Sequence, residues 1–243
     1  MKRALVLVLI IPICLITNLF ALTGEEILQK VDENVYATSS KYEGRFEIHK
    51  GDRIFEKTFK GWAEGEEKSF VEFTNPEDYG VKYLKLGDEM WIAEENDVVK
   101  ISGHLLKRSV MGSDFNFEDL MSNEKLIEMY NVTIAGEDTV QGNKCYILNL
   151  DAKDRDAPYK RQEIWVDKEN YIPYKYNYYA LSGRLMKSAL VLKTQLIKEK
   201  HYPTMMKMTD ELKKGSYTLF EMTDLELDIQ LPENVFSQQN LRR

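Results

Sequence analysis

Between Tyr159 and Lys193 the chain alternates. Ile164-Trp165-Val166-Asp167 meets a polar break at Lys168-Glu169-Asn170, and the run Tyr171-Ile172-Pro173-Tyr174-Lys175-Tyr176-Asn177-Tyr178-Tyr179 follows. Ser182-Gly183-Arg184 then leads into a further apolar-rich run ending at Lys193. A period of two is that of a strand, which turns successive side chains to opposite faces. Ile172, Tyr174, Tyr176 and Tyr178 are therefore expected on one face, as a wall of large side chains. Short turns on both sides of this strand make it part of an antiparallel meander.

Most of the chain is written in the same way. Thr23 and Glu26 form a capping box, and Ile27, Leu28, Val31 and Val35 give a helix over 24–36 with one apolar stripe. From Tyr42 the period changes to two, with Phe46 and Ile48 alternating with charged residues. The segment 53–63 returns after a turn at Gly51-Asp52 and carries Phe55 and Phe59 on one face. Phe70-Val71-Glu72-Phe73 stops at Asn75-Pro76. Gly87-Asp88 is a hairpin signal between Val81–Leu86 and Met90–Ala93, and Val98–Ile101 follows. Residues 102–115 have no period and read as a long loop. Asn116, with Asp119 three residues on, is expected to cap a second helix with Leu120, Leu126, Ile127 and Tyr130 on its apolar side. Strands resume over 131–139, 144–151, 185–198, 203–212 and 217–229, and Pro232–Phe236 suits a last helical turn. The expectation is a mainly β (α+β) domain of roughly eleven strands and two helices, with no internal repeat.

The first residues read as an export signal. Lys2 and Arg3 precede an uncharged, Leu- and Ile-rich stretch from Ala4 to Leu22, interrupted by Pro12 and Thr17-Asn18. Cleavage is expected after Ala21; an uncleaved N-terminal anchor is the alternative. Cys14 stands in a poor lipidation context. The domain expected over 22–243 has 222 residues, and loss of Lys2 and Arg3 takes the net charge from −7 to −9. That length supports one sizeable core. An acidic chain is a poor partner for nucleic acid, whose binding depends on neutralising phosphates. Cys145 is left without a partner for a disulfide and reads as a small apolar strand residue.

Catalytic patterns are missing from the sequence. His49, His104 and His201 stand far apart, so no metal and no cofactor are called for. There is no Gly-x-Ser-x-Gly elbow, no His-Glu-x-x-His pair and no glycine-rich phosphate loop. Glu66-Glu67, Glu77-Asp78 and Glu94-Glu95 fall in turns, and Glu118-Asp119 opens a helix whose dipole favours acids. Asn131-Val132-Thr133 is a glycosylation sequon by accident.

The 27 aromatic residues are spread over many strands, and two helices cover such a sheet incompletely. A sheet of about eleven strands curls or closes, and a curled sheet under partial cover leaves an apolar hollow that marks a binding site. Burial of methylenes at about 0.8 kcal/mol each gives one long acyl chain on the order of 10 kcal/mol before ordering costs.

Four stretches, in this order, resemble the LolA-like outer-membrane lipoprotein-sorting family over nearly all of 22–243. They are Met111-Gly112-Ser113-Asp114-Phe115 with Glu118-Asp119-Leu120; Trp165-x-Asp167, Pro173-x-Lys175 and Ser182-Gly183-Arg184; Pro203 through Met208-Thr209-Asp210 with Lys214-Gly215; and Leu231-Pro232 through Phe236-Ser237, closed by Asn240-Leu241-Arg242-Arg243. The resemblance is to the broader branch rather than to the dedicated lipoprotein chaperone. It implies an open, incomplete antiparallel β-barrel whose apolar concave face is covered by helices. It also implies periplasmic binding of an acylated lipoprotein or lipid, with helices and a loop as a lid, and a companion transporter of the inner-membrane RND/MMPL type; the protein itself is expected to be a monomer. The expected cavity wall is Phe46, Ile48, Phe59, Phe70, Trp91, Ile101, Leu120, Trp165, Tyr174, Tyr176 and Leu219. The expected mobile loop carries His104, Leu105, Leu106, Met111 and Phe115. Two other functions compete with a carrier: a sensor or adaptor that holds a protein partner in the same hollow, and a cell-envelope lipid hydrolase.

Overall fold

The structure is a computed structural model that describes residues 22–95, 97–121, 125–154 and 157–242; the expected export signal lies outside them. The alternating runs are strands. The first half of the chain gives β1 (Ser39–Lys50), β2 (Arg53–Glu64), β3 (Lys68–Phe73), β4 (Lys82–Leu86), β5 (Glu89–Glu94) and β6 (Asp97–Ile101). The second half gives β7 (Tyr130–Val140), β8 (Asn143–Ala152), β9 (Arg161–Asp167), β10 (Pro173–Tyr179), β11 (Leu185–Ile197), β12 (Lys200–Asp210) and β13 (Ser216–Leu227). Each half is a meander, and β1 pairs with β13 to join them. The result is one antiparallel sheet of 13 strands with β6 and β7 at its edges, not closed into a barrel. The sheet has 13 strands where roughly eleven are expected from the sequence.

The sheet curls around α1 (Gly24–Val35). Thr23 starts this helix as expected: its hydroxyl accepts from the Glu26 amide at 3.2 Å, and its own amide donates to the Glu26 carboxylate at 2.8 Å. Ile27, Leu28 and Val31 are buried against Val132, Leu148, Leu150, Ile164 and Val166. The helix touches both β7 and β12, five places apart in the sheet. On a flat sheet five steps would span roughly 24 Å, more than the ~18 Å length of a helix of this size.

The connection from β6 to β7 runs from one sheet edge to the other, across the concave face. In place of one helix it holds two short ones, α2 (Phe117–Met121) and α3 (Leu126–Met129), after 3-10 turns at Gly103–Lys107 and Val110–Gly112. The Asp32 carboxylate on α1 accepts from the Leu126 and Ile127 amides, both at 3.0 Å. It therefore starts a new helix at that point, and Tyr130 becomes the first residue of β7. On the convex side the chain end covers β4: α4 (Gln238–Leu241), capped by Ser237, lies beyond the segment 232–236 where a turn was expected. No described helix is long and apolar enough to cross a membrane.

Candidate functional site

Strand register assigns each ring to a face. On the concave side Phe46 is packed at 5.1 Å from Phe59, 5.5 Å from Phe115 and 5.4 Å from Phe220, centroid to centroid. Ile48, Phe73, Tyr83, Met90 and Ile101 complete this buried cluster. Two glycines let the rings lie flat. Tyr42 is opposite Gly61 and Phe59 is opposite Gly44 across β1 and β2. A Cβ built on Gly61 would collide with the Tyr42 ring, and one on Gly44 with the Phe59 ring. Next to them Ser40, Ala63 and Ser69 follow one another across β1, β2 and β3, a row of small side chains.

Between this floor, α1 and the crossing connection lies a cavity of about 470 Å³. Its wall includes Tyr42, Tyr130, Tyr159, Tyr176, Tyr178 and Tyr202, with Met206, Met208 and Met222 between them. A second space of about 100 Å³ is lined by Phe46, Phe59, Tyr83, Met90, Leu120 and Phe220, and Tyr42 and Ala63 line both. The larger volume falls in the range of small-molecule sites. Rings supply rigid apolar surface, and the thioethers supply surface that adapts to an irregular chain.

The crossing connection is held down by polar anchors. Asp114 accepts from Ser216 Oγ at 2.8 Å and from Thr218 Oγ1 at 2.7 Å, which fixes the Val110–Phe115 loop to the start of β13. Met111 and Gly112 both have positive φ, at 50° and 75°, and Gly112 suits that turn because it has no Cβ. Further along, Lys187 on β11 donates to Asp119 at 2.7 Å, Tyr159 donates to the same carboxylate at 2.6 Å, and the Asn116 amide to it at 2.6 Å. This ion pair is nearly sealed, with side-chain exposures of 4% for Lys187 and 8% for Asp119.

Burial shifts the titrating groups of the wall. It pushes the Tyr42 phenol up to about 12, and raises Tyr159, Tyr176 and Tyr178 as well. These phenols therefore stay protonated and able to donate. Burial also raises the Glu118 carboxyl, ahead of the opposing charge of Lys107. Asp32 is raised by burial despite the two amides that bind it. Among the described residues no group of three or more His, Cys, Asp or Glu gathers as a metal site.

Six of the expected wall residues meet on the concave side: Phe46, Ile48, Phe59, Ile101, Leu120 and Tyr176. The other five do not. Phe70 and Trp91 pack with Val235, Phe236 and Leu241 on the opposite face, because Val71 and Tyr83 take the concave positions in that register. Trp165 and Tyr174 pack with Val140, Cys145 and Leu190. A bulge between Pro173 and Lys175 breaks the period, so Tyr174 parts from Tyr176 and Tyr178. Leu219 stands between Glu47 and Lys207 on the charged convex face. In the expected loop His104 is exposed, Leu105, Leu106 and Met111 rest against the concave cluster, and Phe115 is buried within it. Sequence reasoning missed Gly44 and Gly61, although glycine inside an alternating strand is the usual sign of a close approach. It also missed the anchor roles of Asp32, Asp114, Asp119 and Lys187, which depend on contacts distant in sequence.

Residues 65–243 match a family model described as "Uncharacterized protein". No curated protein matches the sequence. Among solved structures the chain is similar to a DUF1329 family protein from Desulfovibrio piger, at 26% identity and TM-score 0.83, covering 90% of this chain and 97% of that one. It is similar in fold to a domain assigned to outer-membrane lipoprotein sorting from Vibrio parahaemolyticus, at 23% identity and TM-score 0.81, covering 90% and 98%. It is also similar in fold to a LolA superfamily protein from Nitrosomonas europaea, at 24% identity and TM-score 0.76, covering 90% and 99%. The chain belongs to the family whose model spans residues 65–243, and its open, curled sheet is the fold it shares with the LolA superfamily protein.

Proposed function

We propose that the protein is a periplasmic carrier, not an enzyme. It takes the acyl chains of a lipoprotein or lipid into the concave cavity of the single domain 22–243 and moves them toward the outer membrane. The observation that supports this best is the cavity of about 470 Å³ walled by tyrosine rings and methionine thioethers. A fold shared with lipoprotein-sorting relatives adds to it. Burial of about 0.8 kcal/mol per methylene makes hydrocarbon the cargo such a wall holds most strongly. Phe46, Ile48, Phe59, Ile101, Leu120 and Tyr176 form the floor and its borders. The residues around His104, Leu105 and Leu106 act as the movable part of the cover. The export signal delivers the chain to the periplasm, where it acts as a monomer and exchanges cargo with an inner-membrane RND/MMPL-type transporter.

Ala63 offers a direct test, since it lines both cavities between small neighbours. The purified protein should take up a fluorescent long-chain fatty acid. Ala63→Trp should weaken uptake at least tenfold while the circular dichroism spectrum stays unchanged. Equal uptake by the two proteins would show that the probe binds elsewhere.

A further inference from the structure

Besides the exposed Tyr36, the cavity wall contains three half-buried phenols that the protein leaves unbonded. Tyr130 donates to the Tyr159 carbonyl, Tyr159 to Asp119, and Tyr202 to the Tyr36 carbonyl. Among the described residues no hydrogen bond involves the hydroxyl of Tyr42, Tyr176 or Tyr178. Nor are these oxygens sealed inside protein. The fully enclosed, unsatisfied side-chain atoms among the described residues are Asn75 Oδ1 and Asn149 Oδ1, and neither residue lines the cavity. The three hydroxyls therefore open on the cavity itself.

Their placement follows from register. Tyr42 stands on β1, and Tyr176 and Tyr178 stand on β10, four places away in the sheet. Met222, Met206 and Met208, on β13 and β12, lie between them in the wall. A thioether surface is thus bracketed by hydroxyl donors. Phenylalanine would pack equally well at all three positions if hydrocarbon were the whole cargo. A hydroxyl donor beside an apolar wall offers a directed hydrogen bond to whatever enters the cavity.

Building on the carrier reading, we propose that the cavity selects cargo whose acyl carbonyls enter it. The ester or amide oxygens of an acylated glycerol or acylated cysteine accept hydrogen bonds from Tyr42, Tyr176 and Tyr178, and the chains lie over the methionines. Selection then depends on the linkage as well as on chain length. Each neutral hydrogen bond of this kind changes affinity by roughly two- to tenfold.

The test uses lipid-free protein carrying a fluorescent fatty acid and measures its displacement. The competitors are dipalmitoyl phosphatidylglycerol and its dihexadecyl ether analogue, which has the same head group and chains of the same length but no carbonyls. The ester is expected to compete roughly tenfold better than the ether. A Tyr42→Phe/Tyr176→Phe/Tyr178→Phe variant should lose that preference, so that ester and ether compete alike. Equal competition by ester and ether in the unaltered protein overturns the proposal and leaves the carrier reading intact. Failure to bind the fatty acid or either lipid overturns the carrier reading, and this proposal with it. A dipalmitoylglyceryl-cysteinyl peptide presents the same carbonyls on a protein-like head. It should also weaken in the variant, and its rank against the phospholipid identifies the source of the acyl groups.

Discussion

Across β1 and β2 each ring lies over the other strand's glycine, Tyr42 on Gly61 and Phe59 on Gly44. Glycine inside a strand normally costs stability, so Gly→Ala is usually a gain there. Here the sign reverses, because the new methyl would overlap the Tyr42 ring and force it out of its place. Gly61→Ala should lower stability by about 1–3 kcal/mol in urea unfolding; a stabilised variant would show that the ring moves aside freely. Glu118 gives a pH signature. Its carboxyl is raised by burial above the ordinary value of 4.5, so the folded chain keeps a proton that the unfolded chain has already lost. Stability from this group is therefore lost as pH rises from 4.5 through the folded value. Glu118→Gln should be more stable at pH 7 and show a flatter Tm profile across that window; identical slopes there would contradict the burial. The large residues of the wall were legible in the sequence, but their faces were not always so. Tyr174 and Tyr176 differ in face because of one bulge, and no spacing rule announces where a bulge falls.

At the scale of elements, the crossing connection is the part that makes a cavity out of a curled sheet. Its hold on the far side is the sealed pair of Asp119 and Lys187 with Tyr159. Removing one partner of a buried pair leaves a charge without compensation. Lys187→Met should therefore cost about 3–5 kcal/mol, while Asp119→Leu/Lys187→Met should recover much of it. Thermal unfolding of the two variants beside the unaltered protein measures this; equal losses in the single and the double variant would mean that the pair contributes by packing alone. The strands of this protein are legible because alternation and turn residues are local signals, as at Gly87-Asp88 between β4 and β5. Helix α1 is legible from its capping box and apolar stripe. The second expected helix fails because Asp32, 94 residues before Leu126, supplies the cap that divides it. Asp114 and Asp119 likewise look like surface acids until Ser216, Thr218 and Lys187 are brought beside them from the other half of the sheet.

In the whole molecule, one sheet has two faces of opposite character. Arg45 bridges Glu221 at 2.8 Å and Glu56 at 3.3 Å on the convex face, Lys193 meets Glu221 at 2.8 Å, and the chain end covers the remaining apolar patch around Phe70. That side is solvated or covered, whereas the concave side keeps space under its cover. The curled sheet and the hollow of about 470 Å³ that it encloses are what storage of a chain-bearing molecule requires. The most direct measurement is native mass spectrometry of the protein purified from its own cells, followed by lipid extraction. A near-stoichiometric acylated molecule, absent from the Ala63→Trp protein, is the expected result. A clean unliganded mass, together with failure to take up a fluorescent fatty acid, would contradict it.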